Sequence, residues 1–472
     1  MGFRSRVDVR EEGEYSAHTV RLGGHRVRVF RTARMESYRN SHRPNLNLEQ
    51  GVGIMRKEQA ETTGNNDSRD LNRRQFITRA GTAMLSFEMI KPGLVRGTSA
   101  NTRIKLGMVG CGGRGTWIAR LFLEHGGYEI AAAAEYFADR VNDFSERYSV
   151  PDTHRFTGLS CYKRLLDKGV DAVAIETPPY FHPEQAAAGV GAGVHVYLAK
   201  PIAVDVPGCD TIAECGKKAT AKNLCFLIDF QTRAHRYYKG AVQRVHEGAI
   251  GEFAFGESSY HAGCPWERQF QYLEDDPRNS ENRLRAWGLD RVLSGDIITE
   301  QNIHTLDVAS WIMDQTPVQA SGTCGRKVRT DKGDCHDCFT LVFEYPNNVG
   351  VSFSSRQFEG HNTTGGIRNR MFGSKGVLET EYGGQVLIRG ESPYTGGVTT
   401  EIFTEGVVNN IATFHKNIVA GVFDNPTVAP SVRSNLVTIL GRTAAYNKCV
   451  VRWDDLIKSK EKWEVRFQGV KD

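Results

Sequence analysis

Ile104-Lys105-Leu106-Gly107-Met108-Val109-Gly110-Cys111-Gly112-Gly113-Arg114-Gly115 is an apolar run, β-branched at both ends, that feeds directly into G-x-G-x-x-G. Behind it Trp117, Ile118, Leu121 and Phe122 recur at helical spacing, so the glycine turn opens a helix. Each glycine has its own task. Gly110 permits the tight turn, Gly112 lets a pyrophosphate approach the backbone, and Gly115 lets helix and strand pack closely. Unpaired N–H groups of the first turn, where Gly113 and Arg114 stand, then face the anion. A second strand over 128–134 ends at Glu135, which lies 20 residues beyond Gly115, the spacing of an acid that binds a ribose 2′-hydroxyl. A carboxylate there repels a 2′-phosphate, which favours NAD over NADP; Arg114 and Arg140 are the cations that a 2′-phosphate would meet.

Working outward from this turn, strand-like 171–177, 194–198 and 224–228 alternate with helical 183–192 and 206–221. That alternation predicts a parallel, doubly wound α/β sheet of the Rossmann kind. Ligands of such sheets lie beyond the carboxyl ends of the strands, so Thr177-Pro178 and Ala199-Lys200-Pro201 belong at the rim of the site. After Phe230 strand-like runs at 253–260, 318–322, 339–345, 349–354, 377–380 and 385–389 follow with little helix between them. They predict a second, α+β domain with a mostly antiparallel open sheet. The expected organisation is a leader over 1–100, a dinucleotide-binding Rossmann domain over 101–230 and a C-terminal domain over 231–472.

Charge separates the leader from the rest. Lys and Arg exceed Asp and Glu by 60 to 55 over the chain, but residues 1–100 hold 18 against 11, which leaves 42 against 44 for the body. The folded part therefore has no basic footprint for nucleic acid. Residues 1–50 show no sustained apolar period and predict disorder. Met55 is a candidate start, which would make residues 1–54 an over-extended reading frame. Arg73-Arg74 with Phe76-Ile77, the small and apolar 80–87 and then Thr98-Ser99-Ala100 reads as a twin-arginine export signal with a small-residue cleavage site. It predicts a periplasmic or otherwise exported protein, and a cytoplasmic one if the leader does not function. No apolar stretch reaches the ~18 residues of a membrane span, so stable membrane insertion is not expected. Ten scattered cysteines do not form a disulfide framework. Cys335 and Cys338 lack the second pair of a zinc ribbon.

In 295–313 a polar stretch leads into helical spacing, and Glu300 and His304, one turn apart, share a face. A carboxylate and an imidazole on an otherwise apolar helix are either a hydrogen-bonded core pair or part of a polar site. A metal site of Glu300, His304 and Asp307 is a further alternative; none is assigned. Gln231, Arg233, Arg236 and Tyr237 follow the last Rossmann strand and are candidate pocket residues by position, while Trp266 and Trp287 suit either sugar stacking or a core.

Taken in order, the glycine turn, D-A-V-A-I-E-T-P with its later His182, G-V-H-V-Y-L-A-K-P, and the helix bearing Glu300 and His304 resemble the Gfo/Idh/MocA family of oxidoreductases. The similarity runs from about Arg103 to Asp454. It implies that Lys200, Glu300 and His304 form the catalytic centre, that Thr177, Pro178, His182 and Lys200 stand near the cofactor, and that the substrate is a sugar or polyol. Ala199 replaces the acid that precedes the family's lysine, Glu300 its aspartate and Asn302 a glycine. The chemistry suits these groups: His304 takes the hydroxyl proton, Lys200 donates to the same oxygen, and Glu300 orients His304 or binds a neighbouring hydroxyl. Export and a dinucleotide are compatible if the cofactor is tightly held and recycled on the enzyme. The resemblance also implies a homo-oligomer built on the second sheet. Alternatives are a glycosidase that oxidises its substrate transiently and a non-catalytic dinucleotide-binding sensor or scaffold.

Overall fold

The computed structural model describes residues 17–22, 25–30, 103–274 and 276–472. In the leader, β1 (Ala17–Leu22) and β2 (His25–Phe30) pair antiparallel, with Ala17 opposite Phe30. This departs from the disorder expected there. The alternation His25-Arg26-Val27-Arg28-Val29 carries the period-two signal of a strand. The twin-arginine segment around Arg73-Arg74 lies outside the described residues.

From Arg103 on, the first sheet contains β3 (Ile104–Val109), β4 (Tyr128–Glu135), β5 (Arg155–Thr157), β6 (Ala172–Ile175), β7 (His195–Ala199) and β8 (Phe226–Asp229). All pairs are parallel, in the order β5-β4-β3-β6-β7-β8. Chain direction across the sheet reverses between β3 and β6, the switch point at which such sheets open a crevice. Central β6 is buried on both faces, as its unbroken Ala-Val-Ala-Ile run requires. Helices Gly113–His125, His182–Ala192 and Val206–Ala221 cover those faces. The last starts cleanly because the Asp205 carboxylate accepts from Gly208 N at 2.8 Å and Pro207 sits in its first turn.

The second sheet has nine strands: β9 (Phe253–Ala262), β10 (Gln319–Gly325), β11 (Cys338–Tyr345), β12 (Val349–Gln357), β13 (Gly366–Gly373), β14 (Gly376–Glu381), β15 (Gln385–Gly390), β16 (Tyr394–Val398) and β17 (Val451–Arg452). Its order is β16-β15-β14-β13-β9-β12-β11-β10-β17, antiparallel except for β12 beside β9. The runs read from sequence omit β13, which lies near the middle. Its inward Asn369 is satisfied by the Ser258 hydroxyl, which donates to Oδ1 at 2.6 Å, and Arg368 and Arg370 flank it.

Two long C-terminal helices close the molecule. Ile402–Ala420 returns to the first sheet, where Val407, Ile411 and Phe414 join the core of Phe122, Tyr128 and Tyr197. Tyr128 donates its hydroxyl to the Ile411 carbonyl at 3.0 Å. Val428–Asn447 is buried along most of its length in the larger core shared by both sheets. Among the described residues no helix is long and apolar enough to cross a membrane.

Candidate active site

β3 stops at Val109 because Gly110 takes φ +95°, a left-handed value that glycine tolerates. At Gly115 a Cβ would stand 1.9 Å from the Gly110 carbonyl oxygen, so helix and turn touch directly. Gly112 and Gly113 differ: a Cβ on either meets nothing within 4 Å. The space at Gly112 belongs to a cleft of about 630 Å³ lined by Gly110, Gly112, Glu135, Phe137, Arg140 and Thr177 among others, and Gly113 lines the groove that continues from it past Gly112 and Arg140. The helix behind it has no acid in its first turn, so its free N–H groups keep their positive end toward the cleft. Glu135 is 8% exposed and accepts from Cys111 N at 3.0 Å and Phe137 N at 3.3 Å, which fixes its carboxylate beside the turn. An anion cradle, a helix N-terminus and a ribose acid on one cleft fit a dinucleotide.

A second cavity of about 530 Å³ is lined by Arg114, Lys200, Gln231, Glu300, His304 and Phe403. Glu176, Thr177 and Trp287 line both cavities, so the two adjoin. Lys200 follows β7 directly, as the strand-end rule places it. Glu300 and His304 do not occupy one continuous helix as their spacing predicts. Helix Asp296–Glu300 stops, Gln301-Asn302 turns, and helix Ile303–Met313 begins. The interruption leaves the Glu300 carbonyl to accept from Lys200 Nζ at 2.7 Å, and Glu300 Oε1 receives the same ammonium at 3.2 Å. Glu300 therefore pairs with Lys200 rather than orienting His304. The pair is nearly enclosed, with side chains 9% and 11% exposed. Burial lowers the Lys200 pKa, and the Glu300 charge opposes that shift. His304 lines the same cavity, and its Nδ1 is buried without a partner. Burial, then the charges of Lys200 and Arg114, hold its pKa well below the ordinary imidazole value.

Other expected residues go elsewhere. Arg114 turns away from Glu135 to pair with Glu176 at 2.8 Å and Asp229 at 2.6 Å, so it lines the second cavity and is not placed for a ribose phosphate. His182 is buried off the cleft, its ring nitrogens each 2.7 Å from the carbonyl oxygens of Thr177 and Pro201, and it acts as a brace between two strand ends. Of the four residues after β8 only Gln231 lines the second cavity. Arg233 is taken by Asp307 at 2.9 Å, Arg236 stacks on Tyr237 at 4.7 Å, and Tyr237 packs against Gly397. The Arg233 pairing also removes Asp307 from the suggested metal set, and among the described residues no three His, Cys, Asp or Glu side chains are grouped to hold an ion. Trp266 packs on Trp287 with ring centroids 5.9 Å apart. The sequence reading passes over Glu176 and Asp229. Both stand at or just past strand carboxyl ends, so the rule that located Lys200 finds them too. Burial pushes the Glu176 carboxyl up to about 7, against the pull of Arg114.

Comparison with known proteins agrees with this architecture. Residues 104–225 match the model of an oxidoreductase family with an NAD-binding Rossmann fold, and 238–379 match the GFO/IDH/MocA C-terminal domain. The chain is 24% identical over 356 residues to a myo-inositol 2-dehydrogenase of Thermotoga maritima, covering 72% of this chain and 95% of that one. It is 27% identical over 169 residues to a glycosyl hydrolase family 109 protein of Shewanella pealeana, of which it covers only 36%. Among solved structures it is similar to an aldose-aldose oxidoreductase from Caulobacter crescentus, with a TM-score of 0.58, 20% identity, and coverage of 74% of this chain and 99% of the other.

Proposed function

Given that this chain belongs to the GFO/IDH/MocA family of oxidoreductases, with its NAD-binding Rossmann fold, we propose that it moves a hydride between a secondary alcohol of a sugar or polyol and a tightly held NAD. The observation that carries this reading is the shared wall: Lys200, Glu300 and His304 surround a cavity that meets the dinucleotide cleft at Glu176, Thr177 and Trp287. Bound NAD supplies the hydride acceptor. Gly112 and Gly113 would leave room for its pyrophosphate, and Glu135 would accept from its ribose.

The chain's own groups then handle the proton. His304 is neutral at physiological pH because its pKa is depressed, so it is ready to accept the hydroxyl proton. Lys200 gives two N–H groups to Glu300 and keeps a third for the substrate oxygen. A preorganised donor of that kind stabilises the negative charge that develops as the proton leaves. Gln231 and Trp287 line the volume left for the remainder of the sugar.

NAD is preferred to NADP because Glu135 stands where a ribose 2′-hydroxyl would donate to it and Arg114 is committed to two acids, which leaves Arg140 as the cation of the cleft wall. Tight binding suits a protein exported through its Arg73-Arg74 leader, since a recycled resident cofactor needs no external supply. The molecule assembles as a homo-oligomer through the second sheet. Mass spectrometry of nucleotide released from the purified protein, cell fractionation and light scattering check these three points. A transient oxidation that cleaves a glycosidic bond is a second reading, favoured by the similarity to glycosyl hydrolase family 109. The deciding experiment incubates the protein with polyols and with glycosides and follows nucleotide redox state and sugar release. His304→Ala and Lys200→Met should abolish turnover while leaving nucleotide bound. A wild type that reduces its nucleotide with no sugar, polyol or glycoside would refute the enzymatic reading and leave a sensor.

A further inference from the structure

The dinucleotide cleft has a second half that its glycine motif does not announce. Next to Glu135, Phe137 and Arg140, its wall is completed by Leu284 and Trp287, which belong to the C-terminal part of the chain and pack with Phe137. Leu284 lies in the short helix Ser280–Arg285, so whatever holds that helix decides whether the cleft is closed.

Arg285 holds it. Its guanidinium meets Asp139 in a fork, Nη1 to Oδ2 at 3.0 Å and Nη2 to Oδ1 at 2.9 Å, and its centre stands 3.9 Å over the Phe137 ring. Phe137 caps helix Ala138–Tyr148 and Asp139 lies in its first turn, only a few residues past Glu135. Tyr136 adds a third tie, donating its hydroxyl to Glu281 at 2.9 Å. The segment 463–472 works as a splint behind the helix. Gln468 N donates to Ser280 Oγ at 2.8 Å, while Lys471 accepts from Leu159 N at 3.0 Å and donates to Tyr136 at 3.1 Å. Leu159 itself lines the cleft.

Resting on the assignment of this cleft to a nicotinamide dinucleotide, we propose that Arg285 is a positioning residue for the nucleotide: it clasps Leu284 and Trp287 over the cleft and sets how slowly the nucleotide leaves. The planar fork matters as much as the charge, since only arginine satisfies both carboxylate oxygens while lying flat on a ring. Both partners are partly exposed, at 25% and 57%, so salt weakens the pair. The clasp therefore adds little to overall stability and acts on the opening rate instead.

The test loads the full-length protein with NADH and follows loss of its fluorescence after a chase with excess NAD. Arg285→Ala should release NADH at least about 10-fold faster than wild type with an unchanged melting temperature. Arg285→Lys should fall between them, and the exchanged pair Asp139→Arg with Arg285→Asp should recover part of the retention. Higher salt should speed wild-type release and leave Arg285→Ala almost unaffected. Release from Arg285→Ala within about two-fold of wild type overturns the clasp. Should Arg285→Ala unfold, Arg285→Lys and Asp139→Asn decide by the same criterion. A wild type that neither carries nor binds a nicotinamide nucleotide defeats the underlying functional reading, a different result from retention that ignores Arg285.

Discussion

Two alanine substitutions in the glycine turn should fail in opposite ways. At Gly115 the new Cβ stands 1.9 Å from the Gly110 carbonyl oxygen, and contacts below 3.0 Å essentially do not occur, so turn and helix must part by roughly the difference, 1.1 Å. Both sides of that contact are backbone, and no side chain can swing aside. Overpacking of this rigidity costs about 3 kcal/mol, the upper part of its usual range. At about 2 °C per kcal/mol for a body of this size, Gly115→Ala should melt about 6 °C below wild type. Gly112 has φ −70°, which alanine adopts freely, and its Cβ meets nothing within 4 Å. Gly112→Ala should therefore melt within about 1 °C of wild type. Its methyl group instead occupies the space kept for a pyrophosphate, which should raise the NAD dissociation constant about 10-fold, or about 1.4 kcal/mol. Scanning fluorimetry without nucleotide and titration calorimetry with NAD separate the two effects. A Gly115→Ala protein as stable as wild type would refute the reasoning, as would a Gly112→Ala protein that binds NAD normally.

The polar groups around the second cavity give three further expectations. Because His304 acts as a base only when neutral and its pKa is depressed, kcat/KM should stay level as pH falls through 6.5 and decline only below it; an acid limb at or above 6.5 in the pH–rate profile would contradict this. Lys200 must stay protonated and Glu300 opposes the lowering of its pKa, so Glu300→Gln should move the alkaline limb to lower pH. An unmoved limb would separate Glu300 from that task. Glu176→Ala leaves Arg114 with Asp229 as its acid partner and removes one charge-assisted hydrogen bond, so it should cost about 2 kcal/mol, read as a lower urea midpoint; an unchanged midpoint would show that Asp229 alone suffices.

Much of the first half was legible because period and punctuation coincide there: a continuous apolar strand, three spaced glycines, a helix and an acid at the right distance. Lys200 was legible for the same reason, standing where a strand ends. The sequence reading failed where the outcome depends on which partner a charged side chain chooses. Arg114 had the right position for a phosphate, yet two acids that are distant in sequence, Glu176 and Asp229, take it. Glu300 and His304 kept helical spacing in the sequence while the chain turned between them at Gln301-Asn302. Arg233 found Asp307, and His182 found two carbonyls. β13 escaped because its centre alternates arginines with an inward asparagine whose need is met by Ser258 across the sheet. Each miss is a long-range choice among chemically similar partners, which local periodicity does not encode.

The return of helix Ile402–Ala420 to the first sheet has a consequence for how the molecule comes into being. Tyr128 waits for Ile411, 283 positions later, and Asp229 waits for Asn410. A ribosome must therefore finish nearly the entire chain before the nucleotide-binding half can seal its apolar underside, and a fragment cut after residue 230 would be a sticky, open half-shell. That half is sealed only when helix Ile402–Ala420 folds back onto Phe122, Tyr128 and Tyr197.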